Sequence, residues 1–437
     1  MNNVSDEEVI VESFRRSVAN IDGFDNLPDF GPGGLRRDGI VVIREVAHKD
    51  NDRGFLISLF GRVFANQSDP IPKAVIPLDR SQVHGHVQRC RSVWMEAVVH
   101  WRRRHPWIFN WGPLEYPFQK RVQNDPALLG EAGPALAAAG AELFKVLFDD
   151  GDERLRGIGE RLRQASKTGP LTITCYSDRF FIPWGMLYTC PDGRPRPAKE
   201  EADPNGFWGY RHVIEHSVDN FPPISGLPTT NGKLRLGYNY DSHLLAQVKK
   251  QLEEFGSRPE LELVSRTRWT ELVQAFQSQP YPDGLSHFYV HCHGSGTQYQ
   301  PQTTPPRFEI DQRRVTASDL SAWIHGKLRP MPFFLLSACE GGQMDTLFYE
   351  TFARELLQRD AQGIVGPQVD IPMVFATRYA KRFVELLLSN DRPPKRVGEI
   401  VRILAKEFWD QAANPLGLVY SLYRGADSFV ECHGAAH

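Results

Sequence analysis

Two short segments carry the residues with the most chemistry to offer. SHFYVHCHGSG (286–296) and FFLLSACEGG (333–342) are each an apolar run that stops at a reactive polar residue followed by glycine. His293 and Cys339 therefore stand at the tips of two expected buried strands, 339 − 293 = 46 residues apart. A thiol with an imidazole in reach is a nucleophile with its base. Cys339 runs into Glu340, Gly341 and Gly342, with a helix expected soon after. The glycines permit a tight turn and close approach of a substrate backbone, and a helix N-terminus favours the thiolate. His293, held beside a glycine loop, can take the thiol proton. The backbone N–H groups of Gly294 and Cys339 can form an oxyanion hole. His291 shares the side of the strand taken by His293 and reads as a packed, hydrogen-bonded histidine; Cys292 reads as core.

Other chemistries lack their spacing. His291, Cys292, His293 and Cys339 are all zinc-ligand types, but successive strand residues do not surround one ion, so no metal is expected. The terminal ECHGAAH reads as a tail. GPGG and GSG do not match G-x-x-x-x-G-K-[ST], and no G-x-S-x-G elbow falls at a strand end, so neither nucleotide hydrolysis nor a serine hydrolase is expected. WRRRHPW (101–107) interleaves arginine and tryptophan, yet the chain has 51 Lys+Arg against 53 Asp+Glu and no basic excess. It reads as a solvated helix end with its tryptophans packed inward, not a nucleic-acid site.

Composition permits a globular enzyme: 437 residues, 41% hydrophobic, formal net charge −2. Six cysteines without C-x-x-C pairing favour free thiols in a reducing compartment. The opening MNNVSDEEVIVESF is acidic and leads into no apolar targeting core, and no run approaches 18 apolar residues. A cytoplasmic location without membrane association is expected.

The elements that must position the two tips follow from periodicity. Residues 1–125 mix strands at 39–46 and 54–64 with a helix expected at 92–104. Residues 126–232 bring helices at 130–148 and over DERLRGIGERLRQ, a strand within 171–187, and a proline-rich surface loop at 192–206. From 233 to 428, strands and helices alternate: strands LRLGYNY, LELVSR, HFYVHCHG, FFLLSAC, QGIVGPQVD and LVYSLYRG, and helices at 244–255, 269–276, 317–324, 346–359, 373–388 and 397–409. A polar loop is expected between HFYVHCHG and the helix at 317. Residues 429–437 read as a flexible tail. Apolar strands alternating with helices predict an α/β fold, a mostly parallel sheet covered on both faces, with sites beyond the strands' carboxyl ends.

With these residues in place, the chain resembles the CHAT-domain proteins, a branch of the caspase-like cysteine peptidases that includes relatives of separase. The resemblance rests on His293–Gly294, the S-A-C turn at Ser337–Cys339, FIPWGML (181–187), QGIVGPQVD with its following helix, and SLYRGAD, spanning roughly 130–428. A histidine about 50 residues before the cysteine is the caspase-like order. The resemblance implies a caspase-like core at 233–428, an N-terminal CHAT-like part at 126–232, and a divergent regulatory or substrate-recruiting region at 1–125. It implies cleavage of a protein substrate by a Cys339–His293 dyad without metal or organic cofactor. It further implies activation by a protein, a small ligand or processing, in a bacterial defence or signalling pathway. The chain departs from the family pattern at Gly341, where a Ser or Thr is usual, and at Val369 and Met373, near Asp370. Asp178, Glu340, Asp345 and Asp370 are the acidic candidates for a pocket that prefers a basic residue before the cut. The rival expectation is a catalytically silent interaction or scaffold protein that keeps the core.

Overall fold

The computed structural model describes residues 35–47, 53–64, 71–104, 114–177, 179–194, 197, 202–217, 226–293, 307–339 and 349–430. In chain order the strands are β1 (Gly39–Ala47), β2 (Arg53–Phe60), β3 (Lys73–Ile76), β4 (Arg103–Arg104), β5 (Leu114–Glu115), β6 (Thr172–Tyr176), β7 (Val213–Ser217) and β8 (Thr229–Thr230). They continue as β9 (Lys233–Tyr240), β10 (Leu261–Arg266), β11 (Leu285–His293), β12 (Arg307–Ile310), β13 (Arg313–Thr316), β14 (Phe333–Cys339), β15 (Gly363–Pro367) and β16 (Tyr420–Tyr423). The main helices are α1 (Arg80–Trp94), α2 (Pro126–Phe148), α3 (Glu153–Lys167), α4 (Leu245–Gly256) and α5 (Trp269–Gln277). After them come α6 (Ala317–Trp323), α7 (Arg354–Gln358), α8 (Met373–Leu387) and α9 (Val397–Ala412).

Among the described residues one large sheet runs in the order β10-β9-β11-β14-β15-β16-β7-β6-β1-β2-β3. β10, β9, β11, β14 and β15 form one parallel block. β16, β7, β6 and β1 form a second. The two meet at an antiparallel seam between β15 and β16, so their carboxyl ends lie at opposite edges of the sheet. β1, β2 and β3, from the first 125 residues, are hydrogen-bonded into this same sheet through the pairing of β1 with β6.

The fold is the mixed α/β class expected, with a mostly parallel central sheet flanked by helices. In the first block, Leu285, Tyr289, Phe333 and Leu335 join a core with residues of α4 and α8. Phe288, Val290, Phe334 and Leu336 join a second core with residues of α5, α6 and α7. Burial on both faces is why these strands read as continuous apolar runs.

Three elements differ from expectation. The helix expected at 92–104 runs instead over Arg80–Trp94, with a π-turn to Val99. Its start is a capping box in which Asp79 and Gln82 satisfy each other's backbone N–H groups. The described part of WRRRHPW, residues 101–104, is accordingly not helical: Trp101 is half-buried against the core and Arg103–Arg104 pairs with β5. The polar loop before α6 contains the β12–β13 hairpin, which turns at Asp311 and Gln312, both at positive φ. The C-terminal segment is anchored at least through Val430, since Phe429 bridges to Gly226 and both Phe429 and Val430 are buried.

Candidate functional site

β11 and β14 are neighbours in the middle of the first block and run parallel, with Leu285 level with Phe333 and His291 level with Cys339. The backbone of β11 continues for two residues past that level to His293. β9 flanks β11 as far as Tyr289, and beyond its end β12 takes over, pairing His291 with Glu309, Cys292 with Phe308 and His293 with Arg307. The hairpin is tied to the end of β9, because the Asp311 N–H donates to the buried Asp241 carboxylate at 3.1 Å. The strand that ends in His293 is thus held by backbone pairing on both sides.

Polar links below the tips fix the two strands to each other and to α8. His287 Nε2 and Ser337 Oγ are 3.0 Å apart, fully buried, with Tyr238 set edge-on to the imidazole. Burial holds the His287 imidazole neutral, its pKa pushed down to about 3. The Tyr289 hydroxyl lies 3.1 Å from both the Met373 carbonyl and Thr377 Oγ1, fastening the first turn of α8 to β11.

Of the acidic pocket candidates, Asp370 lies in the segment joining β15 to α8, at the carboxyl end of the strand next to β14. Gln368, two residues earlier, is buried and bridges distant parts of the chain. It accepts from Arg91 of α1 at 2.5 Å and donates to the Tyr423 hydroxyl at 2.7 Å. This contact, which the sequence did not signal, joins the N-terminal region to the segment beside the strand tips. Gly294, Asp178, Glu340 and Asp345 lie outside the described residues.

Three cysteines away from the strand tips lie in the interior. Cys90, Cys175 and Cys190 are buried. Burial pushes the Cys90 thiol up to about 12 and raises that of Cys175 well above its ordinary value. Among the described residues no group of three or more His, Cys, Asp or Glu side chains is arranged to hold a metal ion. No described helix is long and apolar enough to cross a membrane.

No family model matches this sequence, and no curated protein matches it. Solved structures it is similar to include separase–securin complexes and two cysteine proteases. Two Saccharomyces cerevisiae separase–securin complexes align at 10% and 11% identity, over 90% and 97% of this chain, with TM-scores of 0.46 and 0.41. The chain spans about a third of those separase chains, 30% and 32%. Gingipain R, an Arg-specific cysteine proteinase, aligns at 12% identity over 68% of this chain and 69% of its own, with a TM-score of 0.36. A secreted cysteine protease from Bacteroides thetaiotaomicron aligns at 15% identity over 40% and 59%, with a TM-score of 0.25.

Proposed function

We propose that this protein is a cysteine endopeptidase of the caspase-like, CHAT-domain type, with Cys339 as nucleophile and His293 as its base. The observation that carries the reading is the register of β11 and β14. Lateral spacing of about 4.8 Å and two further residues of about 3.3 Å each put the Cα atoms of positions 293 and 339 on the order of 8 Å apart. An imidazole and a thiol are together long enough to span such a gap.

In this mechanism His293 accepts the thiol proton as Cys339 Sγ bonds to the substrate carbonyl carbon. The backbone N–H groups of Gly294 and Cys339 hold the oxyanion. His293 returns the proton to the leaving amine, and water then hydrolyses the thioester. Asp370, one strand over, is suited to attract a basic residue before the cut, with Asp178, Glu340 and Asp345 the further acidic candidates. The link from Arg91 to Gln368 supports a regulatory role for the first 125 residues, because any shift of α1 is felt two residues from Asp370. An activating protein or small ligand acting there, in the cytoplasm and in a bacterial defence or signalling pathway, completes the proposal.

The test is mapping of new N-termini by mass spectrometry after incubation with a native lysate, beside Cys339→Ala, together with labelling by electrophilic peptides. Cuts and label that appear only with the unmodified protein, and vanish in His293→Ala, are expected. Matching patterns from both proteins, with no label on Cys339, would favour a silent scaffold and sink the reading.

A further inference from the structure

The last two residues of β11 take their placing from the β12–β13 hairpin. Pairing with β9 stops at Tyr289 and pairing with β14 at His291, so among the described residues the backbone partner of Cys292 and His293 is β12, through Phe308 and Arg307. Among the described residues β12 pairs in turn with β11 and β13 and with no further strand. A hairpin of two four-residue strands is marginal by itself in water, so it holds still only where the body of the molecule grips it.

Three grips are present. Phe308, Ile310 and Val315 enter the core shared with α5, α6 and α7, with Phe308 edge-on to Phe288 at 5.9 Å and 5.5 Å from the Phe352 ring. At the turn, the Asp241 carboxylate accepts from the Asp311 N–H at 3.1 Å and from the His243 N–H at 2.9 Å, which joins the hairpin to the end of β9. Just past the turn, the Arg313 guanidinium carbon lies 4.2 Å from the centre of the Trp269 ring and 5.5 Å from that of Trp323. These two rings, on the first residue of α5 and the last of α6, are stacked 6.3 Å apart. One cation thus fastens the hairpin to both helices, with Asp319 of α6 beside it at 3.5 Å.

The grips differ in what they serve. Removing the apolar one would empty part of the core. The Arg313 side chain is 38% exposed and buries little, so the fold itself leans on it lightly. Its position is what matters: Arg313 pairs with Ile310, three residues along β12 from Arg307, the partner of His293. A hairpin that pivots on its core contacts carries the backbone of His293 with it.

We propose that Arg313 is a positioning residue for His293: its clamp on Trp269 and Trp323, together with the Asp241 tie, fixes the hairpin and, through β12, the backbone from which the base reaches Cys339. The inference rests on the reading of Cys339 and His293 as a dyad. The test needs no substrate. The rate at which iodoacetamide alkylates Cys339 is followed by mass spectrometry across the pH range on both sides of the ordinary thiol value of about 8.5. The parent protein should react well below that value, and His293→Ala should lose the low-pH rate. Arg313→Ala should lower the rate at neutral pH by about tenfold or more, while its melting midpoint stays within a few degrees of the parent's. Arg313→Lys, which keeps a cation for the two rings, should recover most of the rate; should Arg313→Ala fail to fold, Arg313→Gln takes its place. An Arg313→Ala profile that matches the parent's across the whole range would overturn the proposal and leave the dyad standing. A His293→Ala profile that matches the parent's would instead strike the dyad, and this inference with it.

Discussion

The block that ends in His293 and Cys339 and the block across the seam are held together by different chemistry. In the first, the link between the two central strands is the neutral His287–Ser337 pair. The buried ion pair there, Arg266 bidentate to Asp283 at 2.7 and 2.9 Å, lies before the first residue of β11. In the second, Arg37 sits in the interior against Glu215 at 2.9 Å and Asp427 at 2.7 Å, with Thr174 bonded to both Arg37 and Glu215. The pairs differ in reach. β9, β11, β14 and β15 are joined through successive crossovers, while Arg37 and Asp427 are 390 residues apart and close the two ends of the chain onto one sheet. A charge that is buried must be paired, so a misdocked β1 would leave Arg37 or Glu215 uncompensated. The second block thus uses charge to enforce a long-range register, while the buried ion pair of the first, Arg266–Asp283, joins residues 17 apart.

The largest effect that tests this division is on the first block's chemistry alone. Cys339→Ala or His293→Ala should lower peptide turnover by about 10³-fold or more while the melting midpoint stays near that of the parent protein. A midpoint that collapses along with turnover would show that the tips are structural. Conversely, Glu215→Ala should cost about 1–3 kcal/mol of stability by removing one of the two carboxylates that hold Arg37, with Asp427 left as its ion-pair partner, read in urea unfolding, while turnover per folded molecule changes little.

Acid separates the blocks further. Burial keeps His212, His216 and His287 neutral, with pKa values pushed down to about 3, about 4 and about 3; nearby Arg211 and Arg402 add to the effect at His212. Groups that take up protons more readily when unfolded lend stability that is complete above about pH 6.5 and is lost as pH falls toward 4 and 3, at about 1.4 kcal/mol per pH unit for each histidine. Burial alone would raise the Glu215 carboxyl, but the Arg37 charge, the Ala426 N–H and the Thr174 hydroxyl bring it below its ordinary value. Its stabilisation is full above the unfolded carboxylate range and disappears as pH drops through the folded value. Equilibrium unfolding from pH 7 to 3 should therefore show loss beginning near pH 6.5 and steepening in the carboxylate range; His216→Phe should remove one proton's worth of the first slope and leave the second. An unchanged first slope would mean that His216 is not buried neutral.

The smallest expected effect is Ser337→Ala. Losing the partner of His287 should cost about 1–2 kcal/mol and slow turnover mildly, because β11 and β14 remain paired along seven residue pairs of their backbones. A hundredfold loss of turnover would give this pair a positioning role beyond stability.

Much of the first block was legible because its signals are local. Runs such as FYVHC and FFLLSAC announce strands buried on both faces, and the order of histidine and cysteine needs only counting. The errors have local causes too. The helix at Arg80–Trp94 carries its buried apolar residues at Val83, Val87, Cys90 and Trp94, a helical spacing diluted by nine polar residues, and its readable marker was the D-x-x-Q cap at Asp79. The β12–β13 hairpin turns on Asp311–Gln312, where Asn-Gly or Asp-Gly is the recognisable pair for two positive φ angles.

The sequence by itself determined that two buried strands end at His293 and Cys339, the alternation of strand and helix and the α/β class, since each depends on residues within a few positions of one another. Only the tertiary structure decided that the N-terminal strands extend the same sheet, that β16 enters antiparallel and reverses its direction, that Arg91 meets Gln368, and that Trp184, His212, His216 and Arg402 face one cavity. These are pairings between residues tens to hundreds of positions apart, chosen by which buried surfaces and charges can be satisfied together, and no local pattern in the chain encodes that choice.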